Sequence, residues 1–214
     1  MADDATSLLT MAMADVLDAF ASSEPVPGGG SAAALAGALG VSLLLMVAGL
    51  SRTRTGAPEE AADLASASAR LRTLREQLME LVERDADAYR AVLAARRRPK
   101  TTDAEIRARL DAIQGAMQIA TEAPLDVMRA CQQALHGAVI VSRAGLASAA
   151  SDVAVGVELL VAAVRGAGWS VDANLPALAD TSYAARVAAE RRELEEESLV
   201  DAERARQARP SHGA

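Results

Sequence analysis

Aromatic side chains are scarce in this chain: four of its 214 residues are aromatic, whereas 51 are alanine. Because β-sandwiches and barrels draw on β-branched and aromatic residues, this composition argues against an all-β fold. Hydrophobic residues make up 51% of the chain, which is enough apolar surface for a core and argues against disorder. Alanine has the highest helix propensity. We therefore predict an all-α, single-domain bundle of several helices over residues 1–206, with a disordered tail at 207–214.

Cysteine, histidine and excess positive charge are also lacking. Cys131 is the single cysteine, which excludes a disulfide framework and a cysteine-based zinc site. The two histidines, His136 and His212, share no metal-ligand spacing, so we predict no metal site. A net charge of −7 argues against a nucleic-acid partner, and the one basic run, residues 96–100, is interpreted as a solvated helix end. The acidic N-terminus lacks the positive region of a secretory signal, which predicts a cytoplasmic location.

Apolar periodicity and chain breakers divide the sequence into helices. The predicted helices cover about residues 5–21, 31–51, 58–98, 102–143, 148–167 and 177–206. Ser31 is the expected N-cap of the second helix, and Pro124 either kinks the fourth helix or starts another. The helix at 31–51 is apolar all round, and the helix at 148–167 is a second apolar helix with Glu158 and Arg165 on its outward face. We predict that they pack at the centre of the bundle or across a dimer, rather than span a membrane.

Two acids interrupt apolar stripes. Asp85 continues the 3–4 spacing of the leucines in the third helix, and Asp152 aligns with Val155 in the second apolar helix. An unpaired buried carboxylate costs several kcal/mol, so each acid must be paired, protonated or functional. The structural alternative for both is a helix cap or a hydrogen bond to a neighbouring helix end.

A glycine-rich turn precedes the first apolar helix and reads Pro-Val-Pro-Gly-Gly-Gly-Ser at residues 25–31. Consecutive glycines let backbone N–H groups converge, and the following helix N-terminus adds positive partial charge, so the turn is a candidate cradle for an anion or a carbonyl oxygen. The alternative is a simple turn that lets a crowded helix start. Lys100 follows Pro99 at a rigid break, and it either points into a site or is solvated.

Five short segments occur in order along the chain. They are the glycine turn with its helix start at 25–34, Asp-Ala-Asp-Ala-Tyr at 85–89, Arg-Pro-Lys at 98–100, Ala-Thr-Glu-Ala-Pro-Leu at 120–125 and Ser-Asp-Val-Ala-Val at 151–155. Together with Asn174, they resemble the cyclodeaminase/cyclohydrolase family. This family includes the C-terminal domain of formiminotransferase-cyclodeaminase and bacterial methenyltetrahydrofolate cyclohydrolases. The resemblance covers about residues 15–205.

The resemblance implies an all-α homodimer with a folate cleft near the dimer interface. It implies ring opening or closure at a one-carbon unit of tetrahydrofolate, of the C–N hydrolase or ammonia-lyase type, without a metal or redox cofactor. The catalytic residues it implies are Asp85 and Asp152 for proton transfer or cation stabilisation, and Lys100 for holding a substrate carboxylate or carbonyl. The substrate-binding residues it implies are Pro27, Gly28, Gly29, Gly30, Ser31, Tyr89, Thr121, Pro124 and Asn174.

The sequence departs from the family pattern at three polar sites. After residue 51 the chain lacks the lysine pair and the tyrosine of the family, although Arg52 or Arg54 could replace the charge. Leu146 stands where the family has an asparagine. A second asparagine of the family pattern aligns near Ser170, where this chain has none. These departures leave two alternatives to a folate enzyme. One is a relative that acts on a non-folate cyclic or amidine-like substrate, and the other is a non-catalytic helical dimer module.

Overall fold

The computed structural model describes residues 7–208, which fold into six α-helices joined by short connections. The helices are α1 (Met13–Ala21), α2 (Gly29–Ala48), α3 (Pro58–Arg96), α4 (Asp103–Ala144), α5 (Ala150–Asn174) and α6 (Thr181–Gln207). Within the described part of the chain the only β-type pairing is an isolated bridge between Thr53 and Gly145. The all-α prediction is confirmed.

The core lies where α2, α3, α4 and α5 pack together, and α6 covers α4 and α5. Leucine, valine and alanine side chains fill it, including Leu44, Leu78 and Leu135. The two apolar helices α2 and α5 run antiparallel and touch through Gly40 and Gly156. A Cβ atom on Gly40 would lie 2.8 Å from the carbonyl oxygen of Gly156, so small residues allow backbone contact here. This explains why an alanine- and glycine-rich sequence makes a compact bundle.

The leucine stripe of α3 is buried as predicted, from Leu64 to Leu81, and it directs the next residue of the same spacing, Asp85, toward α2. The start of α4 also follows the prediction. Thr102 and Glu105 form a capping box, in which the Thr102 hydroxyl accepts from the Glu105 backbone N–H.

Four predicted boundaries are wrong, and packing explains most of the differences. Ser31 is not an N-cap: α2 begins at Gly29, with Gly28 as the extended N-cap residue. Pro124 does not start another helix, because α4 continues through it, and a kink at this residue stays a prediction. Helix α5 continues past residues 166–168 to Asn174, where Gly168 leaves room for the Arg191 guanidinium of α6. Helix α6 begins at Thr181, after a 3-10 turn at Leu175–Ala177.

The structure also differs from the prediction at both ends of the chain. The first predicted helix is shorter, a 3-10 turn at Leu8–Thr10 followed by α1, and residues 5 and 6 lie outside the described residues. At the other end α6 includes Gln207, so the predicted tail begins too early. The rest of that tail, residues 209–214, also lies outside the described residues.

An apolar surface remains along the outer side of α2 and α5. Two segments, Gly29–Ala48 and Ala147–Ala177, are long and apolar enough to cross a membrane by length and composition, and about half of each apolar stretch is buried inside the bundle. The remainder includes the exposed side chains of Leu39, Met46 and Val155. We call the surface formed by Leu39, Leu43, Met46, Val155 and Leu159 the α2–α5 face.

Candidate functional site

A cavity of about 380 Å³ opens where the start of α2, the last three turns of α3, the middle of α4 and the end of α5 meet. Its lining residues are Pro25, Val26, Gly28, Gly29, Gly30, Asp85, Tyr89, Val92, Arg96, Met117, Ala120, Ser170, Ala173, Asn174 and Ala177. A larger groove, of about 460 Å³, lies between α3 and α4 beside His136. Among the described residues, no acidic side chain lines that groove. The smaller cavity therefore carries the chemistry predicted for a proton-transfer site.

Asp85 sits against the first turn of α2. Its Oδ2 accepts a hydrogen bond from the Ser31 hydroxyl at 3.0 Å. A Cβ atom on Gly30 would overlap the Asp85 carboxylate, so only glycine lets the acid approach the helix this closely. The predicted anion cradle is thus filled by the protein's own carboxylate. The structural alternative for Asp85, a hydrogen bond to a neighbouring helix end, is confirmed; its position in the cavity lining leaves the functional interpretation a prediction.

The environment of Asp85 changes its acidity. Burial raises the pKa of the Asp85 carboxyl above its ordinary value, and hydrogen bonds from the Ser31 hydroxyl and backbone oppose part of that rise. Among the carboxyls of residues 7–208 whose pKa departs clearly from the ordinary value, only Asp85 is shifted upward. A carboxyl with a raised pKa can both accept and return a proton near neutral pH.

Pro124 and Asn174 act on the same wall of the cavity. Proline has no backbone N–H, so the carbonyl of Ala120, four residues before Pro124, loses its usual helical donor. The side-chain amide of Asn174 takes that place and donates from Nδ2 to the Ala120 carbonyl oxygen at 2.9 Å. Asn174 lines the cavity, and because Nδ2 is its donor, Oδ1 is the acceptor of this side chain, with no donor among residues 7–208.

Thr121 supports this wall from behind. It is fully buried, and its hydroxyl donates to the Met117 carbonyl oxygen at 2.8 Å. Met117 itself lines the cavity. Thr121 and Pro124 therefore shape the site without lining it.

These features can be compared with known proteins. A sequence model of the formiminotransferase-cyclodeaminase family matches residues 12–193. The chain belongs to this family. It is 38% identical over 168 residues to a methenyltetrahydrofolate cyclohydrolase from Methylorubrum extorquens, an alignment that covers 78% of this chain and 81% of that protein.

Two further relatives are more distant. The chain is 27% identical over 176 residues to a formimidoyltransferase-cyclodeaminase from Gallus gallus; the match covers 82% of this chain but 32% of that longer protein. A crystal structure of formiminotetrahydrofolate cyclodeaminase from Thermotoga maritima matches with a TM-score of 0.84, covers 94% of this chain and 96% of that chain, and is 22% identical. That likeness shows a shared fold.

The structure places two of the residues implied by the family resemblance away from the cavity. Lys100 is exposed in the connection between α3 and α4. Asp152 is half-exposed in the first turn of α5 and makes no capping hydrogen bond within the described residues. Ser170, at the cavity, is 18 residues further along α5, about 27 Å at the helical rise. Asp85 and Asp152 are therefore not neighbours within one chain.

The remaining implied residues surround or line the cavity. Tyr89 and Asn174 line it, as do the three glycines of the turn, Gly28, Gly29 and Gly30. Pro27 is half-buried in the same turn, and Ser31 reaches the site through its bond to Asp85.

The structure distinguishes three cationic side chains that the sequence singled out. Arg54 does not replace the missing substrate-facing charge: its guanidinium donates to the carbonyl oxygens of Ser142 at 2.6 Å and Ala208 at 3.0 Å. Arg52 is exposed in the same connection. Arg96, interpreted from the sequence as part of a solvated helix end, is exposed as the last residue of α3 and also lines the cavity. Its spacing of 11 residues from Asp85, three helical turns on one face, was the signal for it.

Proposed function

We propose that this member of the family hydrolyses 5,10-methenyltetrahydrofolate to 10-formyltetrahydrofolate, with Asp85 as the acid and base. The observation that carries the proposal is the half-buried Asp85 carboxyl at the cavity, with its raised pKa and its hydrogen bond from Ser31. The 38% identity to a methenyltetrahydrofolate cyclohydrolase, over four-fifths of that protein, supports this choice of reaction.

The reaction needs one proton to be moved twice. The methenyl carbon joins N5 and N10 of the substrate and carries positive charge, which a nearby carboxylate stabilises. The ionised Asp85 takes a proton from water as the water oxygen attacks that carbon, and a neutral tetrahedral intermediate forms. Asp85 then returns the proton to N5 as the bond between N5 and the carbon breaks. The hydroxyl of the intermediate loses its proton to solvent and becomes the formyl oxygen.

The other cavity groups suit the ring systems of this substrate, the pterin and the aminobenzoyl ring. Tyr89 supplies an aromatic surface one turn after Asp85. Asn174 Oδ1 offers an acceptor for a ring N–H, and the Ala120 carbonyl keeps the amide in that orientation. Gly28 and Gly29 line the cavity, and their lack of side chains leaves space for close approach of the ligand. No metal or redox cofactor is needed in these steps, and we predict that prior dialysis against a chelator leaves the rate unchanged.

We also propose that the protein works as a homodimer through the α2–α5 face. Leu39 and Val155 are each 53% exposed on this face, and large apolar patches of this kind mark interaction surfaces. Asp152 lies on the same side of α5 as Val155 and Leu159, so a dimer through this face would bring Asp152 to the subunit interface. Light scattering should give twice the chain mass of 22.1 kDa, and Leu39→Asp should give a monomer.

The activity is tested by following the disappearance of the methenyl chromophore with the wild-type protein, Asp85→Asn and Asp87→Asn. Asp87 is a matched control, because it is exposed on the same helix and pairs with Arg90. We expect Asp85→Asn to lower kcat by about 10²- to 10⁴-fold and Asp87→Asn to have no effect.

Three other results would redirect the proposal. A wild-type rate equal to the uncatalysed rate would reject the hydrolysis. Ammonia release from formiminotetrahydrofolate in its place would indicate the cyclodeaminase reaction. Turnover by neither assay would favour a non-folate substrate or a non-catalytic module.

A further inference from the structure

One face of α3 lines the cavity along its length. Asp85, Tyr89, Val92 and Arg96 all border the cavity, and their spacing of four, three and four residues keeps them on one side of the helix. Eleven residues separate the first and the last, which is about 16 Å between their Cα atoms at the helical rise. The two ends of this row carry opposite charges, with an aromatic and an apolar side chain between them.

Arg96 is uncommitted at its end of the row. Within residues 7–208 its guanidinium makes no hydrogen bond or ion pair, whereas its backbone carbonyl accepts from Arg109 Nε at 3.1 Å. Arg96 is exposed at the mouth of the cavity, and the cationic side chains that follow, Arg97, Arg98 and Lys100, are exposed as well. In a chain of net charge −7, this end of the cavity is thus a local positive region.

A ligand that matches this row needs a cation at one end, an aromatic or apolar middle and an anion at the other. Methenyltetrahydrofolate has this order: the cationic methenyl bridge, the aminobenzoyl ring and the glutamate carboxylates. We propose that Arg96 is the anion subsite of the cavity and binds a carboxylate of the substrate's glutamate tail. A guanidinium suits this role because it meets a carboxylate with two parallel hydrogen bonds. This inference rests on the proposed function, since it names the residue that holds the far end of the same substrate.

The test compares two substrates that differ only at the tail. Methenyltetrahydrofolate carries glutamate, and methenyltetrahydropteroate ends at the benzoate carboxyl. Each is assayed with the wild-type protein, Arg96→Gln, Arg96→Lys and Arg97→Gln. Arg97 is the matched control, because it is the next residue, carries the same charge and is not part of the cavity lining.

We expect Arg96→Gln to raise KM for the glutamate-bearing substrate by about 10- to 100-fold, the range for a charge-assisted hydrogen bond, and to leave kcat within about twofold. Arg96→Lys should recover part of this loss. The pteroate substrate should show a high KM with the wild-type protein and little further change with Arg96→Gln. Arg97→Gln should match the wild type with both substrates.

Two kinetic results would overturn the subsite. An equal KM increase for both substrates would mean that Arg96 supports the cavity structurally, and an equal effect of Arg97→Gln would mean that only the general positive charge matters. Calorimetric binding of tetrahydrofolate and tetrahydropteroate separates this inference from the proposed reaction. If the wild type hydrolyses neither substrate but binds tetrahydrofolate in an Arg96-dependent way, the reaction is wrong and the subsite stands. If it hydrolyses both with one KM, the reaction stands and the subsite is wrong.

Discussion

The two ends of the antiparallel pair α2 and α5 consist of similar residues, but the polar groups beside them have different partners. At one end, the first turn of α2 and the last turns of α5 border a cavity with Asp85, Asn174 and Arg96. At the other end, Gly145 fits against Val47, where a Cβ would lie 2.9 Å from Val47 Cγ1, and the Arg54 guanidinium binds two backbone carbonyls. At this second end both Nη atoms of Arg54 are paired with backbone carbonyls, whereas its buried Nε has no hydrogen-bond partner among the described residues. At the first end an amide, a guanidinium and a carboxyl line the cavity, where we propose that they meet the substrate, and this difference distinguishes the proposed site from the scaffold.

The largest expected effect comes from adding a Cβ atom at the cavity end, where α2 lies closest to the Asp85 carboxylate. Gly30→Ala puts a Cβ into the space of the Asp85 carboxylate, so the acid must move from its place beside Ser31. A displacement of about 1 Å can cost on the order of 100-fold in rate, and we expect at least that loss in kcat/KM in the hydrolysis assay. Gly115→Ala is the control, because no described atom outside its own helix would lie within 4 Å of the new Cβ. A Gly30→Ala protein of normal activity would contradict the assigned position of Asp85.

The closed end is expected to show the reverse pattern, a loss of stability without a loss of catalysis. Arg54→Ala leaves the carbonyls of Ser142 and Ala208 without their donor, and we expect about 2 kcal/mol less free energy of unfolding in urea. The kcat of the folded fraction should not change. Arg52 is exposed, so Arg52→Ala should change neither the free energy of unfolding nor kcat. If Arg54→Ala raised KM while stability stayed constant, Arg54 would belong to the substrate site after all.

Pro124→Ala tests the cavity end, because it gives the Ala120 carbonyl an ordinary helical donor. The substituted residue would donate its backbone N–H to the Ala120 carbonyl and compete with Asn174. Since proline in a helix interior costs about 3 kcal/mol and some buried contact is lost, we expect a net gain of about 1 kcal/mol in stability. KM should rise about 5- to 10-fold, which corresponds to the loss of roughly one hydrogen bond to the substrate.

Thermal unfolding and steady-state kinetics of Pro124→Ala, Asn174→Ala and the double variant check this coupling. Asn174→Ala should raise KM by a similar factor without the gain in stability, and the double variant should add little to either change. Additive effects on KM would show that Pro124 does not act through Asn174.

The smallest expected effect is the pH dependence of stability at Asp85. Because its pKa is raised in the folded protein, protonation favours folding, and stability is lost as pH rises from below the ordinary Asp pKa of about 3.9 through the folded pKa. Asp85→Asn removes this loss, so it should be more stable than the wild type at pH 7 and equally stable at low pH. Each unit by which burial raises the pKa corresponds to about 1.4 kcal/mol. Urea unfolding across this pH range checks the sign, and a wild type that gains on the variant as pH rises would contradict it.

Several parts of this arrangement follow from local sequence patterns. The alanine content predicted the all-α class, and the 3–4 leucine spacing of α3 predicted the burial of Leu71 and Leu78. The same spacing marked Asp85 as inward-facing, because a helix repeats its face every three to four residues. The capping box at Thr102 was readable for the same local reason.

Other parts were decided only by tertiary packing. Pro124 and the glycines near residue 166 read as helix breakers, yet α4 and α5 continue through them, because Asn174 supplies the missing donor and Arg191 occupies the glycine space. The sequence does not distinguish Arg54, which donates to two carbonyls, from Arg96, whose guanidinium has no partner among the described residues. A charged residue near a helix end carries no information about its distant partner.

The sequence by itself thus determined the helical class, the inward face of α3 and the family, all of which depend on neighbours within a few residues or on ordered motifs. Tertiary structure decided which polar groups meet: Gly30 with Asp85, Asn174 with the Ala120 carbonyl, and Arg96 with the open end of the cavity. The first two of these meetings join residues far apart in the chain, and they depend on how closely two backbones approach. That distance is set by the whole bundle and not by any one segment.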